Sequence, residues 1–225
     1  NDQLLGNLDL QSNLEVRNYD TNKLTSFFVN DFNWSSKNLF FNNGMSSKFL
    51  GNIRNINYEA KNIDLYKRDY TNEVHGALGL ISKLNLEKEN GSRKHSLIPK
   101  ILLRFSPGSM RKESSGSKLN PSKAFNLNKL DEKYNYEKSL SATLGLDYKT
   151  KINNYNEFDF SIAQVINQKE NKKMASVTSM DEKLSDLVGS VSFKPNKKSN
   201  IKLNFAMDQN YQDINYNEVE TNFNF

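Results

Sequence analysis

Hydrophobic and polar residues alternate along much of this chain. The clearest stretch is residues 8–17, where apolar side chains occupy the even positions, except at Ser12, and charged or amide side chains occupy the odd ones. A period of two is the signature of a β-strand with one apolar face and one polar face. The alternation recurs over the whole chain, so the sequence predicts an all-β fold of about ten long strands.

The predicted strands carry most of the chain. They are Asn7–Asn18, Lys23–Trp34, Gly44–Tyr58, Thr71–Leu86, His95–Phe105, Lys138–Lys149, Tyr155–Asn167, Ser185–Lys194, Asn200–Asp208 and Asp213–Phe225. Most of them have the roughly 9–11 residues that a tilted strand needs to cross a bilayer. In the third, the apolar positions change parity at Ile56 and Tyr58, which predicts a β-bulge. In the sixth, we expect Leu144 to face lipid and Thr143 to face water.

Long strands with one apolar face are typical of an antiparallel up-and-down transmembrane β-barrel. The chain starts and ends close to a predicted strand, so we expect residues 1–225 to be part of one outer-membrane barrel domain that is larger than this chain. Long loops are predicted at about 59–70, 106–137 and 168–184. In an up-and-down barrel all three lie on the same side of the membrane, and we expect that side to be the cell surface because outer-membrane barrels carry their long loops outside.

Composition is consistent with a polar interior. Hydrophobic residues make up 36% of the chain and the mean hydropathy is −0.76, whereas a soluble domain usually has more apolar residues. A barrel with a water-filled lumen explains this, because half of each strand faces water. The net charge of +5 is spread among acidic residues rather than clustered, which disfavours nucleic-acid binding.

The sequence gives little indication of catalysis. His75 and His95 lie far apart with no metal-ligand spacing around them, the chain has no cysteine, and no phosphate-binding glycine loop occurs. The spelling S-x-x-K at Ser115–Lys118 lacks the other two motifs of its enzyme class. We therefore expect no enzyme activity, no cofactor and no metal site.

Lys100 and Arg104 lie on the predicted polar face of the fifth strand. The simpler interpretation is ordinary lumen polarity. The functional interpretation is contact with an anionic substrate, since a guanidinium group pairs bidentately with phosphate.

Three segments carry a family resemblance. The stretch Leu97–Arg111 is similar to the segment P-x-[apolar]-x-[apolar]-R-[FY]-[SA]-P-G-x-M-R of the LPS-assembly protein LptD family, also called organic solvent tolerance protein. A second stretch, Glu182–Gly189, resembles that family's E-K-x-S-D-x-V-G segment, and Phe160–Gln164 resembles the strand before it. The matching motif residues are Pro99, Arg104, Phe105, Ser106, Pro107, Gly108, Met110, Arg111, Ser185, Asp186 and Gly189. The resemblance extends from about Asn7 to the C-terminus.

This resemblance implies a central to C-terminal section of the barrel that inserts lipopolysaccharide (LPS) into the outer leaflet of the Gram-negative outer membrane. It implies LPS, outer-membrane lipid, an LptE-type lipoprotein plug and periplasmic Lpt components as partners. Lys100 and Arg104 become possible lumen-facing contacts of LPS.

Other classes of protein stay open at this point. A porin constricts its lumen with charged rings, but it is not expected to combine the two motif segments. A soluble β-sandwich used in adhesion is disfavoured by the length of the strands, and an enzyme with catalytic residues in its loops is a more distant alternative.

Overall fold

The computed structural model describes residues 6–19, 22–64, 66–152 and 156–223 and folds them into one antiparallel sheet of twelve strands. The strands are β1 (Asn7–Tyr19), β2 (Lys23–Ser35), β3 (Leu39–Phe40), β4 (Met45–Lys61), β5 (Thr71–Leu84), β6 (Leu86–Asn90), β7 (Arg93–Ser106), β8 (Ser139–Ile152), β9 (Asn156–Asn167), β10 (Leu187–Asn196), β11 (Ser199–Met207) and β12 (Ile214–Phe223). The all-β antiparallel prediction is confirmed. Tyr155 and residues 224–225, which belong to predicted strands, lie outside the described residues.

The order of the strands is that of an up-and-down sheet. Ten strands follow one another as β1-β2-β4-β5-β7-β8-β9-β10-β11-β12, while β3 pairs with β4 and β6 pairs with β7. Over the described residues the sheet is open, with β1 and β12 at its two edges. This is the arrangement of a partial barrel. Two one-turn 3-10 helices also occur, and no helix of the described part is long and apolar enough to cross a membrane.

Register places the apolar side chains of neighbouring strands on one face. Leu10 pairs with Phe32, and Phe32 pairs in turn with Ile53, so all three side chains point the same way. The same face carries further exposed apolar residues: Leu8, Leu14, Val16, Val74, Leu78, Leu103, Phe105, Leu140, Leu144, Phe193, Ile201 and Val219. We call this the outer face and the opposite one the inner face. An exposed apolar band of this extent is typical of a lipid-facing barrel wall.

The predicted bulge in β4 is wrong. The pairing of β4 with β2 runs without interruption from Leu50 to Lys61, and its pairing with β5 is equally regular. Ile56 and Tyr58 break the parity because they point to the inner face, where they are 0% and 2% exposed. The alternation fails here since part of the inner face is itself an apolar packing surface.

The connections at one end of the strands are much longer than those at the other end. Residues 62–70, 107–138 and 168–186 all lie at the same end, while the turn at 197–198 lies at the opposite end. The two longest segments are not free of the sheet, because both bury side chains against it.

Candidate functional site: the inner face and the loop that covers it

The connection between β7 and β8, residues 107–138, folds over the inner face and is called the inner loop here. Its entry is set by the first motif: the Ser106 hydroxyl donates to the Gly76 carbonyl at 2.7 Å, and Gly108 follows Pro107 with a φ of +98°. That φ is in the left-handed region that favours glycine. The chain therefore turns back at the strand end instead of continuing away from the sheet.

Pro99, the first residue of the motif, lies at a gap between two successive strand pairings on one side of β7. The β5–β7 pairing ends at Lys83 and Lys100, and the β6–β7 pairing begins at Leu86 and Leu97. Since proline has no N–H to donate, it is tolerated at such an interruption of the sheet.

A buried ionic cluster ties the inner loop to the sheet. Arg104 of β7 donates to the Glu137 carbonyl at 2.7 Å, and its guanidinium lies 3.4 Å from the Glu137 carboxylate. The same carboxylate pairs with Lys129 Nζ at 3.3 Å and accepts the Lys129 backbone N–H at 3.1 Å. Arg104 also donates through Nε to the Leu127 carbonyl. All three charged side chains are at most 1% exposed.

The charges in this cluster depend on one another. Burial by itself raises the pKa of Glu137, but the positive charges of Arg104 and Lys129 outweigh it and hold that pKa below its ordinary value. Burial lowers the pKa of Lys129 to about 8; the Glu137 carboxylate opposes this shift, and the positive charge of Arg104 adds to it. A substitution that removes one of these three charges leaves the remaining charges buried without a partner of opposite sign, and this strongly destabilises a protein.

An aromatic cluster holds the end of the inner loop. The rings of Phe27 and Tyr134 stack with centroids 3.9 Å apart, and Tyr58 and Tyr66 pack beside Phe27. Arg111, the last residue of the first motif, lies over the rings of Tyr58 and Tyr66 and pairs with Glu73. This cluster is the physical reason for the parity change in β4.

A second apolar cluster joins the inner loop to the connection 168–186. Met110 and Ala124 of the inner loop pack with Met174 and Met180 of that connection and with Val165 of β9. The motif residue Met110 is therefore a core residue that is 4% exposed.

The second motif shapes the entry to β10. The Ser185 hydroxyl accepts the Val165 N–H at 2.9 Å and is fully buried, while the Asp186 carboxylate accepts from Asn215 at 3.1 Å. Gly189 pairs with Phe205, and a Cβ atom at Gly189 would lie 2.1 Å from that ring. Only glycine leaves room for the aromatic side chain.

Both candidate LPS contacts lie on the inner face, as expected from their parity. Lys100 pairs with Asp147 at 2.6 Å, and its ammonium group lies 4.5 Å from the centre of the Phe125 ring. The Arg104 side chain is sealed beneath the inner loop, so this arrangement gives it a structural role. Contact with LPS stays a prediction for both residues, and for Arg104 it would require the inner loop to withdraw.

Thr143 occupies the inner face and Leu144 the outer face, as predicted, but Thr143 is buried instead of open to solvent. Thr143 is 1% exposed and donates to the Ala124 carbonyl at 2.9 Å. Leu144 is 47% exposed. The prediction that Thr143 faces water is wrong because the alternation of the sequence does not reveal a loop that packs onto the polar face.

Sequence reasoning also missed the cavity left between the inner loop and the sheet. It measures about 460 Å³, and Arg54, Asn52 and Tyr136 are among its lining residues. Arg54 forms a bidentate ion pair with Asp31 at 2.7 and 2.8 Å. In the sequence each of these residues resembles an ordinary polar position of a strand or loop, and only the folding of the inner loop brings them together.

Comparison with known protein families agrees with this architecture. A family model described as LptD, LPS transport system D, matches residues 85–225, which is more than half of the chain. The matched part contains both motif segments, the inner loop and β7 to β12. A search of curated proteins found no match.

Proposed function

This chain belongs to the LptD family of LPS transport proteins, and on that premise we propose that it forms part of an outer-membrane translocon that inserts LPS into the outer leaflet. The observation that carries the proposal is the family match over residues 85–225. In this proposal residues 1–225 are a section of one barrel domain in the Gram-negative outer membrane.

The two faces of the sheet support a transport role. The outer face is suited to the acyl chains of the bilayer, because exposed apolar side chains run across the strands from Leu8 to Val219. The inner face offers dispersed charges that already have partners, such as Lys149 with Glu157 at 2.5 Å. Weak, distributed contacts suit a substrate that has to move on, whereas a single tight site would hold it.

The long connections supply a way to control access to the inner face. We propose that the inner loop restricts the lumen and that LPS passes when part of this loop is displaced. The proposal gives the chain no covalent chemistry, so it acts as a transporter and not as an enzyme.

Partners follow from the family. We propose LPS as the substrate, outer-membrane lipid as the surroundings, periplasmic Lpt components as the suppliers of LPS and an LptE-type lipoprotein as a plug. The family match favours these over a porin, which would conduct small solutes.

Depletion of the protein in its host tests the proposal. LPS recovered in the outer-membrane fraction should fall, LPS in the inner-membrane fraction should rise, and the amount of an unrelated outer-membrane barrel should stay constant during the first generations. Rescue with the wild-type gene should restore the distribution. Unchanged LPS at the cell surface after depletion would contradict the proposed function.

A further inference from the structure

A second cavity lies at the end of the strands that carries the long connections. Its walls are residues 108–110 at the start of the inner loop, residues 138–140 at the start of β8 and residues 168–173 of the connection 168–186. Its volume of about 440 Å³ is within the range of small-molecule sites. This cavity reaches the outer face of the sheet, because Leu140, whose side chain belongs to that face, is one of its lining residues.

Backbone and amide hydrogen bonds hold the walls of this cavity in place. The Asn171 side chain donates to the Lys138 carbonyl at 3.2 Å, and the Asn171 backbone N–H donates to the Asp181 carbonyl at 2.9 Å. The Gln168 N–H donates to the Leu140 carbonyl at 2.9 Å, which fixes the connection to the end of β8. The cavity is therefore preformed, and a ligand does not have to order a loop in order to bind.

Lysines dominate the charge of the lining. It contains four lysines and one acidic residue: Lys138, Lys169, Lys172, Lys173 and Glu170. Lys172 is neutralised by Glu170 at 3.2 Å and by Glu182 at 2.7 Å. The other three lysines have no carboxylate partner within the part of the chain that the structure describes. The cavity therefore has an excess of positive charge, which an anionic ligand would balance.

Lys138 distinguishes this cavity from an ordinary group of surface lysines. It is only 9% exposed, and its ammonium group lies 5.2 Å from the centre of the Tyr136 ring. Burial and the positive charge of Arg104 lower the pKa of Lys138 to about 8, so the group still carries its charge at neutral pH. A cation that is largely removed from water gains more from an anionic partner than an exposed one does.

The apolar surface of the outer face extends to the cavity. Leu140 pairs with Phe105, and Phe105 pairs with Leu78, so their three exposed side chains form one row across β8, β7 and β5. Cations placed just beyond the end of a lipid-facing apolar surface suit an amphiphile whose anionic headgroup meets the lysines while its acyl chains cover the apolar row. A soluble anion would make no use of that row.

We propose that this cavity binds the phosphate monoester headgroup of a membrane lipid, whose acyl chains lie along Leu78, Phe105 and Leu140. A phosphate monoester carries a charge of about −1.5 to −2 at pH 7, which matches the surplus lysines better than the single charge of a diester. The site lies at the outer rim of the sheet and holds a lipid of the surrounding bilayer, so it goes beyond the proposed route through the lumen and does not depend on it. The predicted orientation of the long connections puts this lipid in the outer leaflet.

Native mass spectrometry of the delipidated full-length protein, released from detergent micelles, tests the site by counting bound lipids. The probes are phosphatidic acid, a phosphate monoester, phosphatidylglycerol, a diester, and phosphatidylcholine, which has no net charge. At equal concentrations we expect phosphatidic acid to be retained about tenfold more than phosphatidylcholine, with phosphatidylglycerol between them. Glycerol 3-phosphate has the same headgroup without acyl chains, and an equal concentration of it should not displace the bound phosphatidic acid.

The double variant Lys169→Gln with Lys173→Gln is the most informative, because both side chains are exposed and their loss does not disturb a core. We expect about a tenfold loss of affinity for phosphatidic acid. Lys138→Met should weaken binding as well. The matched control is Lys67→Gln with Arg68→Gln, which removes the same two positive charges from the exposed connection 62–70 at the same end of the strands, and it should leave affinity unchanged.

Three results would overturn the site: equal retention of phosphatidic acid and phosphatidylcholine by the wild type, unchanged affinity in the double lysine variant, or an equal loss of affinity in the control variant. Displacement of phosphatidic acid by an equal concentration of glycerol 3-phosphate would refute the lipid and indicate a site for free phosphate. These outcomes are separate from those of the depletion experiment, because binding is measured on the purified protein and depletion measures the delivery of LPS in cells.

Discussion

At the scale of single residues, the family motif encodes the attachment of a loop. Arg104 holds Glu137 and the Leu127 carbonyl, Arg111 lies over the aromatic cluster, and Met110 enters the apolar core. A basic residue on the polar face of a strand is usually solvated, but Arg104 is 1% exposed because the inner loop covers it. Its chemistry, five donors in a rigid fork, suits the simultaneous capture of several loop carbonyls.

Glu137→Gln should destabilise the attachment of the inner loop by about 3 kcal/mol, because Arg104 and Lys129 then stay buried without a carboxylate. Chemical unfolding of the full-length barrel and the rate of proteolysis within residues 107–138 would measure it. Glu170→Gln is the control: this carboxylate is 54% exposed and pairs with Lys172 at the surface, so its loss should change stability by less than about 0.5 kcal/mol. Equal effects of the two substitutions would contradict the buried cluster.

Acid should loosen the inner loop through the same carboxylate. The pKa of Glu137 is lower in the folded protein than its ordinary value of 4.5, so its contribution to stability is complete above that value and is lost as the pH falls through the folded pKa. Proteolysis of the inner loop should therefore accelerate below about pH 4.5. The Glu137→Gln variant should lack this acid-dependent step, and a step of the same size in that variant would assign it to another group.

At the scale of elements, the two faces of one strand differ in polarity. Leu203 in the middle of β11 pairs with Val191 and Val219 on the outer face, while its neighbour Asn204 donates to Glu218 on the inner face at 3.2 Å. The pair allows one substitution to be compared at adjacent positions of equal depth. Thr143 and Leu144 are less suitable, since the inner loop fills the space at Thr143.

Leu203→Arg should cost about 2–4 kcal/mol of folding free energy near the bilayer midplane, because the guanidinium group enters lipid. Asn204→Arg should cost much less, since the side chain meets Glu218 and water. Refolding titrations of the two full-length variants into lipid vesicles would compare them. Equal losses of folding free energy in the two variants would indicate a sheet covered on both faces and would contradict a lipid-facing outer face.

The position of the long connections also gives a topological prediction. We expect Lys169, which is exposed in the connection 168–186, to face the outside of the cell. Lys198, in the turn at the opposite ends of the strands, should face the periplasm. Because this chain has no cysteine, Lys169→Cys and Lys198→Cys each introduce one new thiol into it. A membrane-impermeant maleimide should label the first on intact cells and the second only after permeabilisation, with the unsubstituted protein as background. The reverse labelling would invert the orientation.

At the scale of the whole molecule, the sheet is defined by its edges. β1 and β12 each pair on one side only within the described residues, so a row of backbone N–H and C=O groups on each is left unpaired. In water such edges promote association, and in lipid they are not tolerated. The inner loop contacts side chains of both edge strands, Glu15 through Tyr134 and Tyr216 through Lys118, but within the described residues it adds no paired strand to either edge.

The 225 residues expressed by themselves should therefore aggregate or fail to form a heat-resistant barrel in detergent. Heat-modifiability on gels and light scattering of the refolded chain would test this, with the full-length protein as the positive control. A stable monomer in which β1 pairs with β12 would contradict the prediction.

The sequence by itself determined the ten long strands and, apart from the inner-face apolar residues of β4, which side chains share a face. Alternation at positions 8–17 and 140–148 locates β1 and β8 because a period of two is a local property of the extended backbone. The two motif segments likewise indicated the family, since they are contiguous in the chain. Tertiary structure alone decided what covers the inner face. The Arg104–Glu137 pair, the stacking of Phe27 on Tyr134 and the cavity at Asn52 and Tyr136 join residues 33 to 107 positions apart, and no local pattern records such contacts. The parity change at Ile56 was a visible trace of that packing, but it identifies the packing only when the inner loop is in place.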